Sequence, residues 1–254
     1  MPRHARIVFP DVPHHVTQRG NNRERVFFNR GDYMAYLALL REHAGQFAIE
    51  IIAYCLMPNH VHLVLLPSDR NGLHFALKAV HGQYAQRVNR MRDQKGHLWQ
   101  GRYFSSPLDA EYLLNAVRYV ELNPVRARMV SKAEDYAWSS APAHCGLCND
   151  SLVDRQPRSK SFSAIVDWSQ WLAEKVTEEA FSILRQHGSQ NLPCGSTEFV
   201  TQLERVARRK LRFRAPGRQP NPDSKTANGL EPKGNARLKS ERPLWEKWGR
   251  PPQR

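Results

Sequence analysis

The sequence predicts an α+β fold: a ferredoxin-like antiparallel sheet with helices on one face, followed by a helical appendage and a basic, disordered tail. Three observations lead there. Strand-like and helix-like segments alternate from Val12 to Val130 in the order βαββαβα. Two strand-like runs, IEIIAYCLM and HVHLVLLP, are separated only by Pro58-Asn59, a spacing that suits a hairpin or tight reversal. From Arg214 to Arg254 apolar residues thin out while Pro, Gly, Asn, Lys and Arg accumulate, the composition of a disordered tail.

In chain order, HHVTQRG alternates as a strand does and ends in Arg19-Gly20-Asn21-Asn22, a turn signal. Asp32 can cap a helix whose Tyr36, Leu39, Leu40 and His43 keep helical spacing into Phe47. After the hairpin, Asn71-Gly72 breaks the chain ahead of LHFALKAVHGQYAQRVNRM, where Leu73, Leu77, Val80, Tyr84 and Val88 recur at helical intervals. RYFSSPLD supplies a further strand. In AEYLLNAVRYVELN, Tyr112, Leu113, Ala116, Val117 and Val120 suit a helix that Pro124 ends, because proline has no N–H to continue it. Past Val130 scattered Trp, Cys, Ser and Pro replace this pattern, and two shorter helical stretches fall near AIVDWSQWLAEKV and TEFVTQLERVARRKL. The expected divisions are a catalytic domain over 1–135, a helical appendage over 136–213 that is a candidate for DNA binding, and the tail over 214–254.

Composition narrows the partner. Lys and Arg number 38 against 24 Asp and Glu, a net charge of +14. An excess of that size favours a polyanion, because neutralising phosphates releases counterions and gives affinity without sequence information. A membrane surface is the rival, but no run approaches the roughly 20 apolar residues of a bilayer span and no Lys/Arg-faced amphipathic helix stands out. The opening MPRHARIVFPDVPHH lacks the apolar stretch of a signal peptide. Cys55, Cys145, Cys148 and Cys194 do not resemble a disulfide framework. The expectation is a reduced, cytoplasmic and nucleoid-associated protein acting on nucleic acid, as a monomer rather than a homodimer.

The chemistry starts from PNHVHLVLL. His60 and His62 are two apart on a strand, so both imidazoles project from one face, about 6.6 Å apart along the backbone, where they can share a metal. Val61 points the other way, into the core. A pair of half-exposed strand histidines is the plainer reading. The last helix adds Tyr119 and Asn123, four apart and stacked on one helical face. Asn123 can offer an amide oxygen to a hard cation, or it can satisfy backbone groups at the helix end ahead of Pro124. Tyr119 is either a nucleophile, which needs a nearby cation or base to favour its phenolate, or a core tyrosine with its hydroxyl at the rim. Tyr112, seven residues earlier on nearly the same face, competes with it.

The blocks QRGNNRERVFF, YCLMPNHVHLVLLP, LWQGRYFSSPLD and YLLNAVRYVELNPVRARMV, in this order over roughly residues 5 to 140, resemble the REP-associated tyrosine transposase branch of the single-tyrosine HUH transposases. The resemblance implies that His60-Val61-His62 is the HUH motif, Tyr119 the nucleophile and Asn123 the third ligand of a divalent Mg²⁺ or Mn²⁺. Better-known insertion-sequence relatives carry glutamine at that third place. It further implies cleavage and rejoining of single-stranded, hairpin-forming repeat DNA through a 5′-phosphotyrosine intermediate. No nucleotide cofactor is expected, in keeping with the lack of a GxxxxGK[ST] loop.

Arg19, Arg23 and Arg25 follow the first strand and suit DNA backbone, although such a run also suits a solvated loop. Trp99, Gln100, Arg102 and Tyr103 combine aromatic faces, an amide and a cation, the set that stacks on and reads unpaired bases; the two aromatics can equally cover the sheet edge. His14, His15 and His81 read as surface or structural residues, with His15 able to approach the metal side. Cys145-x-x-Cys148 is half a zinc site whose other half is missing. The cations from Arg205 to Arg218 suit contact with DNA backbone. Two other functions compete with the strand transferase: a hairpin-binding module that performs no cleavage, and a hydrolytic metallonuclease whose product ends stay free.

Overall fold

The computed structural model describes residues 6–153, 160–174 and 178–212. The tail expected over 214–254, and the end of the basic run that leads into it, lie outside the described residues. Strand β1 (His14–Arg19) leads through a short 3-10 turn at Asn21–Arg23 to helix α1 (Arg30–Gln46). Then come β2 (Ile49–Met57), β3 (His60–Pro67), α2 (Gly72–Met91), β4 (Phe104–Pro107) and α3 (Ala110–Glu121). The four strands form one antiparallel sheet in the order β2-β3-β1-β4, the expected ferredoxin-like arrangement.

Local sequence accounts for the joints. Asn29, not Asp32, caps α1: its side chain accepts from the Asp32 backbone N–H, while the Asp32 carboxyl accepts from the Asn29 backbone, a capping box in which Asp32 is the reciprocal partner. Pro58-Asn59 alone joins β2 to β3, with Met57 opposite His60. Pro124 interrupts the last helix rather than ending helical structure, and the chain resumes at once as a one-turn helix, α4 (Asn123–Arg126).

Alternation along the central strands sorts side chains onto two layers. Val16, Val61, Leu63 and Leu65 face α1 and α2, packing with Tyr36, Leu40, Leu77, Val80 and Tyr84. Ala53, Cys55 and Val64 face the other way and meet Leu113, Ala116, Val117 and Val120 of α3. The expectation of helices on one face therefore holds for α1 and α2, while α3 packs on the opposite face. Apolar spacing marks which side of a helix is buried but not which face of the sheet buries it.

The described residues beyond Val130 carry four α-helices: α5 (Ala141–His144), α6 (Trp168–Ala173), α7 (Glu178–Gly188) and α8 (Thr197–Ala207). Two of these were expected; α5 and α7 were not. The same segment covers both sheet edges, which would otherwise present unpaired backbone groups. At the β2 edge, the Leu56 N–H donates to the Trp138 carbonyl and the Ser140 N–H to the Tyr54 carbonyl. At the β4 edge, the Ser105 N–H donates to the Asn191 side chain and the Cys194 N–H to the Pro107 carbonyl.

Candidate active site

The sheet register brings three imidazoles together. Thr17 lies opposite His62 across β1 and β3, which places His15 and His62 side by side on the α3 face. Nε2 of His15 is 3.0 Å from Nδ1 of His62, and the rings stack with centroids 5.3 Å apart. His60 and His62 stand edge to face with centroids 4.9 Å apart. His60 is half-buried and uses Nδ1 to reach Oδ1 of Asn59 at 2.6 Å; Asn59 in turn donates to the Arg23 carbonyl. Both histidines of the motif thus have Nδ1 engaged. That fixes each ring and leaves the Nε2 edge as the one suited to a ligand.

Burial keeps these rings neutral. It lowers His15 to about 4 and, with help from the Arg19 charge, His60 to about 4. His62 is held well below its usual range, first by burial and then by His60, His15, Arg19 and Arg126. A neutral imidazole is the form that binds a metal. Among the described residues no group of three His, Cys, Asp or Glu is arranged to hold an ion. The protein ligands at hand are the imidazole pair, which fits a cation completed by oxygen from outside that set.

Tyr119 reaches the same place from α3. Its ring is edge-on to His62 at 5.4 Å and to His15 at 5.8 Å between centroids. Burial raises the phenol above its usual range, opposed by Arg126 through charge and hydrogen bonding and by the charges of Arg185 and Arg19. The side chain is only 6% exposed, and Phe181 of α7 packs against it at 5.3 Å. Tyr112, the competitor, is half-buried towards Asp109 and Cys194 at the start of the helix, and no ring contact ties it to the histidines among the described residues.

Other expected site residues divide. The Asn123 side-chain amide donates to the Tyr119 carbonyl at 2.7 Å, one of the two roles that the sequence left open, and this bond uses Nδ2, not the Oδ1 that a cation would take. Trp99 is a correction: it is 8% exposed, packs against Tyr36, His81 and Tyr84, and donates its indole N–H to the His81 carbonyl, which removes it as a stacking platform. Tyr103 is also buried, with the Arg6 guanidinium over its ring at 3.8 Å. Arg19, Arg23, Arg25, Gln100 and Arg102 are exposed. Gln100 and Arg102 line a cleft of about 880 Å³, which lies along the β4 edge with Arg209, Lys210 and Arg212 and does not include the histidines. His14 and His81 are buried structural residues, His14 at 2.7 Å from the Val12 carbonyl and His81 at 3.0 Å from the Tyr36 hydroxyl.

Sequence reasoning missed Arg126, Phe181 and Glu121. Arg126 had a usable signal, since Tyr119, Asn123 and Arg126 follow i, i+4, i+7 spacing and share a helical side. Phe181 had none, being brought in by tertiary packing. Glu121 is fully buried: its carboxyl accepts from Ser140 at 2.5 Å, from the Nδ1 of His144 at 2.6 Å and from the Trp168 indole at 2.8 Å. That cluster ties α3 to α5 and α6 just past Tyr119.

Residues 9–123, the span holding the four strands, α1 to α3 and Tyr119, match the family model for IS200-like transposases. A protein of Haemophilus influenzae, described as a proposed REP-associated tyrosine transposase, is 23% identical over 121 residues, covering 43% of this chain and 69% of that one. The solved structure of a REP-associated tyrosine transposase bound to a REP hairpin aligns with a TM-score of 0.50 at 16% identity, over 61% of this chain and 98% of that one. A proposed transposase from Deinococcus radiodurans gives a TM-score of 0.33 at 21% identity, over 51% and 92%. The resemblance expected from the sequence blocks, to REP-associated tyrosine transposases, is thereby met in sequence and in fold.

Proposed function

We propose that the protein cleaves and rejoins single-stranded DNA at hairpin-forming repeats, with Tyr119 as the nucleophile. The observation that carries this reading is the meeting of the Tyr119 phenol with His62 and His15, 5.4 and 5.8 Å between ring centroids, on one face of the sheet. In the reaction the Tyr119 Oη–P bond forms as the P–O3′ bond breaks. The phenol loses a proton, the departing 3′-oxygen gains one, and the 5′-phosphate stays on the enzyme. Rejoining runs the same exchange backwards, so no nucleotide energy source is needed. His60 and His62 would hold a divalent Mg²⁺ or Mn²⁺, which when bound supplies charge stabilisation at the phosphate. Asn59 and His15 orient the two rings through their Nδ1 atoms. Exposed Arg19 opposite His60, Arg23 and Arg25 in the loop that follows, and Gln100 and Arg102 along the β4 edge, would provide contacts for a DNA strand. The solved REP-associated tyrosine transposase of similar fold is bound to a REP hairpin, which supports hairpin DNA as the partner.

One observation favours a second reading. Tyr119 is nearly buried beneath Phe181, as suits a hairpin reader that performs no cleavage. Incubation with single-stranded hairpin DNA and Mn²⁺, followed by denaturing electrophoresis with and without protease, separates the two. Strand transfer predicts a protease-sensitive adduct that Tyr119→Phe abolishes and Tyr112→Phe leaves intact. Bound but uncut DNA would support the reader, and cut DNA with free ends would support a hydrolytic nuclease.

A further inference from the structure

Arg126 stands where the nucleophile, the histidines and the C-terminal helices meet. It is the last residue of α4, one turn past Asn123, and its guanidinium carbon lies 5.2 Å from the centre of the Tyr119 ring and 5.0 Å from that of Phe181. The side chain is 29% exposed, so solvent or a phosphate can reach it while its stem is packed. Its charge acts on both Tyr119 and His62.

A bland role is available: Arg126 also sits 3.2 Å from Glu178 of α7, and could serve only to fasten that helix. The ion pair does not exhaust it. Glu178 is 66% exposed and shares the same oxygen with Arg185 at 2.5 Å, so Arg126 has a divided claim on a solvated carboxylate, and such pairs contribute little. A guanidinium carries five N–H donors in a rigid fork suited to phosphate, and one contact to Glu178 leaves most of them for other acceptors.

We propose that Arg126 is a catalytic residue of strand cleavage, its guanidinium holding the Tyr119 oxygen and a non-bridging oxygen of the scissile phosphate in line for attack. This rests on Tyr119 being the nucleophile. The guanidinium neither gains nor loses a proton; it donates hydrogen bonds to oxygens whose charge grows as the Oη–P bond forms.

The test uses the full chain with a labelled pool of single-stranded hairpin oligonucleotides bearing randomised flanks, in Mn²⁺, measuring the rate of adduct formation and the hairpin affinity separately. Arg126→Ala lowers the rate about 100-fold with affinity kept within about threefold, the size expected for losing one donor to a developing oxyanion. Arg126→Lys restores part of the rate, and Glu178→Ala keeps or exceeds the wild-type rate. The inference is overturned if Arg126→Ala stays within about threefold of wild type in rate, or if Glu178→Ala falls as far, which would make α7 fastening the whole of its role. Should the alanine variant fail to fold, Arg126→Gln, which keeps the length and loses the charge, gives the same reading. A wild-type chain that forms no adduct, or a Tyr119→Phe chain that still does, overturns the nucleophile assignment and this inference with it; a Tyr119-dependent adduct indifferent to Arg126 overturns the inference alone.

Discussion

At the scale of single residues, the site depends on what fixes each imidazole. His62 is backed by His15 and His60 by Asn59, in both cases through Nδ1, and partners of this kind set ring orientation and ligand basicity. His15→Ala is therefore expected to raise the Mn²⁺ concentration that supports half-maximal adduct formation by about 10-fold or more, with the hairpin still bound. An unchanged Mn²⁺ requirement would show that His15 only fills space. The His60/His62 pair was legible in the sequence because a period of two on a strand fixes a shared face. His15 was half legible: its strand was evident, but its pairing with His62 depends on a register between residues 47 apart. Asn123 and Trp99 show the limit of composition. An amide four residues from a tyrosine fits a ligand or a helix end equally well, and an aromatic in a polar stretch does not reveal that its ring lies under α2.

At the scale of elements, α3 carries Tyr119, the proposed nucleophile, and its far end is held by Glu121. Replacing Glu121 with Ala strands the Ser140 hydroxyl, the His144 ring and the Trp168 indole, and buried donors left without acceptors cost about 1–3 kcal/mol each. Denaturant unfolding is expected to show a loss of about 3 kcal/mol or more, with Glu121→Gln recovering part of it. A loss under about 1 kcal/mol would mean the cluster is wet in solution. The turn after β1 is equally tight: a Cβ on Gly20 would lie 2.3 Å from the Glu24 carbonyl oxygen and 2.8 Å from Val26. Gly20→Ala should destabilise the protein by about 1–3 kcal/mol and disturb the loop that bonds to Asn59, whereas a neutral result would show that the loop can shift freely. The four strands and α1 to α3 were readable from periodicity and the Pro58-Asn59 reversal, whereas α4, α5 and α7 were not. The placement of α3 on the opposite face was not, because amphipathic spacing is blind to which of two apolar surfaces it meets.

At the scale of the whole molecule, two layers on one sheet bury histidines in neutral form away from the site. Burial lowers His14 to about 4 and His81 to about 3, against about 6.5 in an unfolded chain. Between pH 6.5 and 4 the unfolded chain binds protons that the native chain refuses, so stability is full above 6.5 and is lost as pH falls. The thermal midpoint should drop across this window, more shallowly in His81→Phe; a midpoint flat from pH 7 to 4 would contradict the neutral buried rings. The residues past Val130 cover both sheet edges and place Phe181 over Tyr119, an arrangement no local pattern announced because it is built from contacts between distant segments. Its consequence is that the Tyr119 ring lies against α7.

The central claim is the identity of the attacking atom. Proteolysis of the DNA-linked protein followed by mass spectrometry of the nucleotide-bearing peptide tests it most directly. The account predicts a phosphodiester on the Tyr119 oxygen within the peptide spanning residues 119 to 126. A nucleotide on Tyr112 or any other side chain, with Tyr119 unmodified, would contradict it.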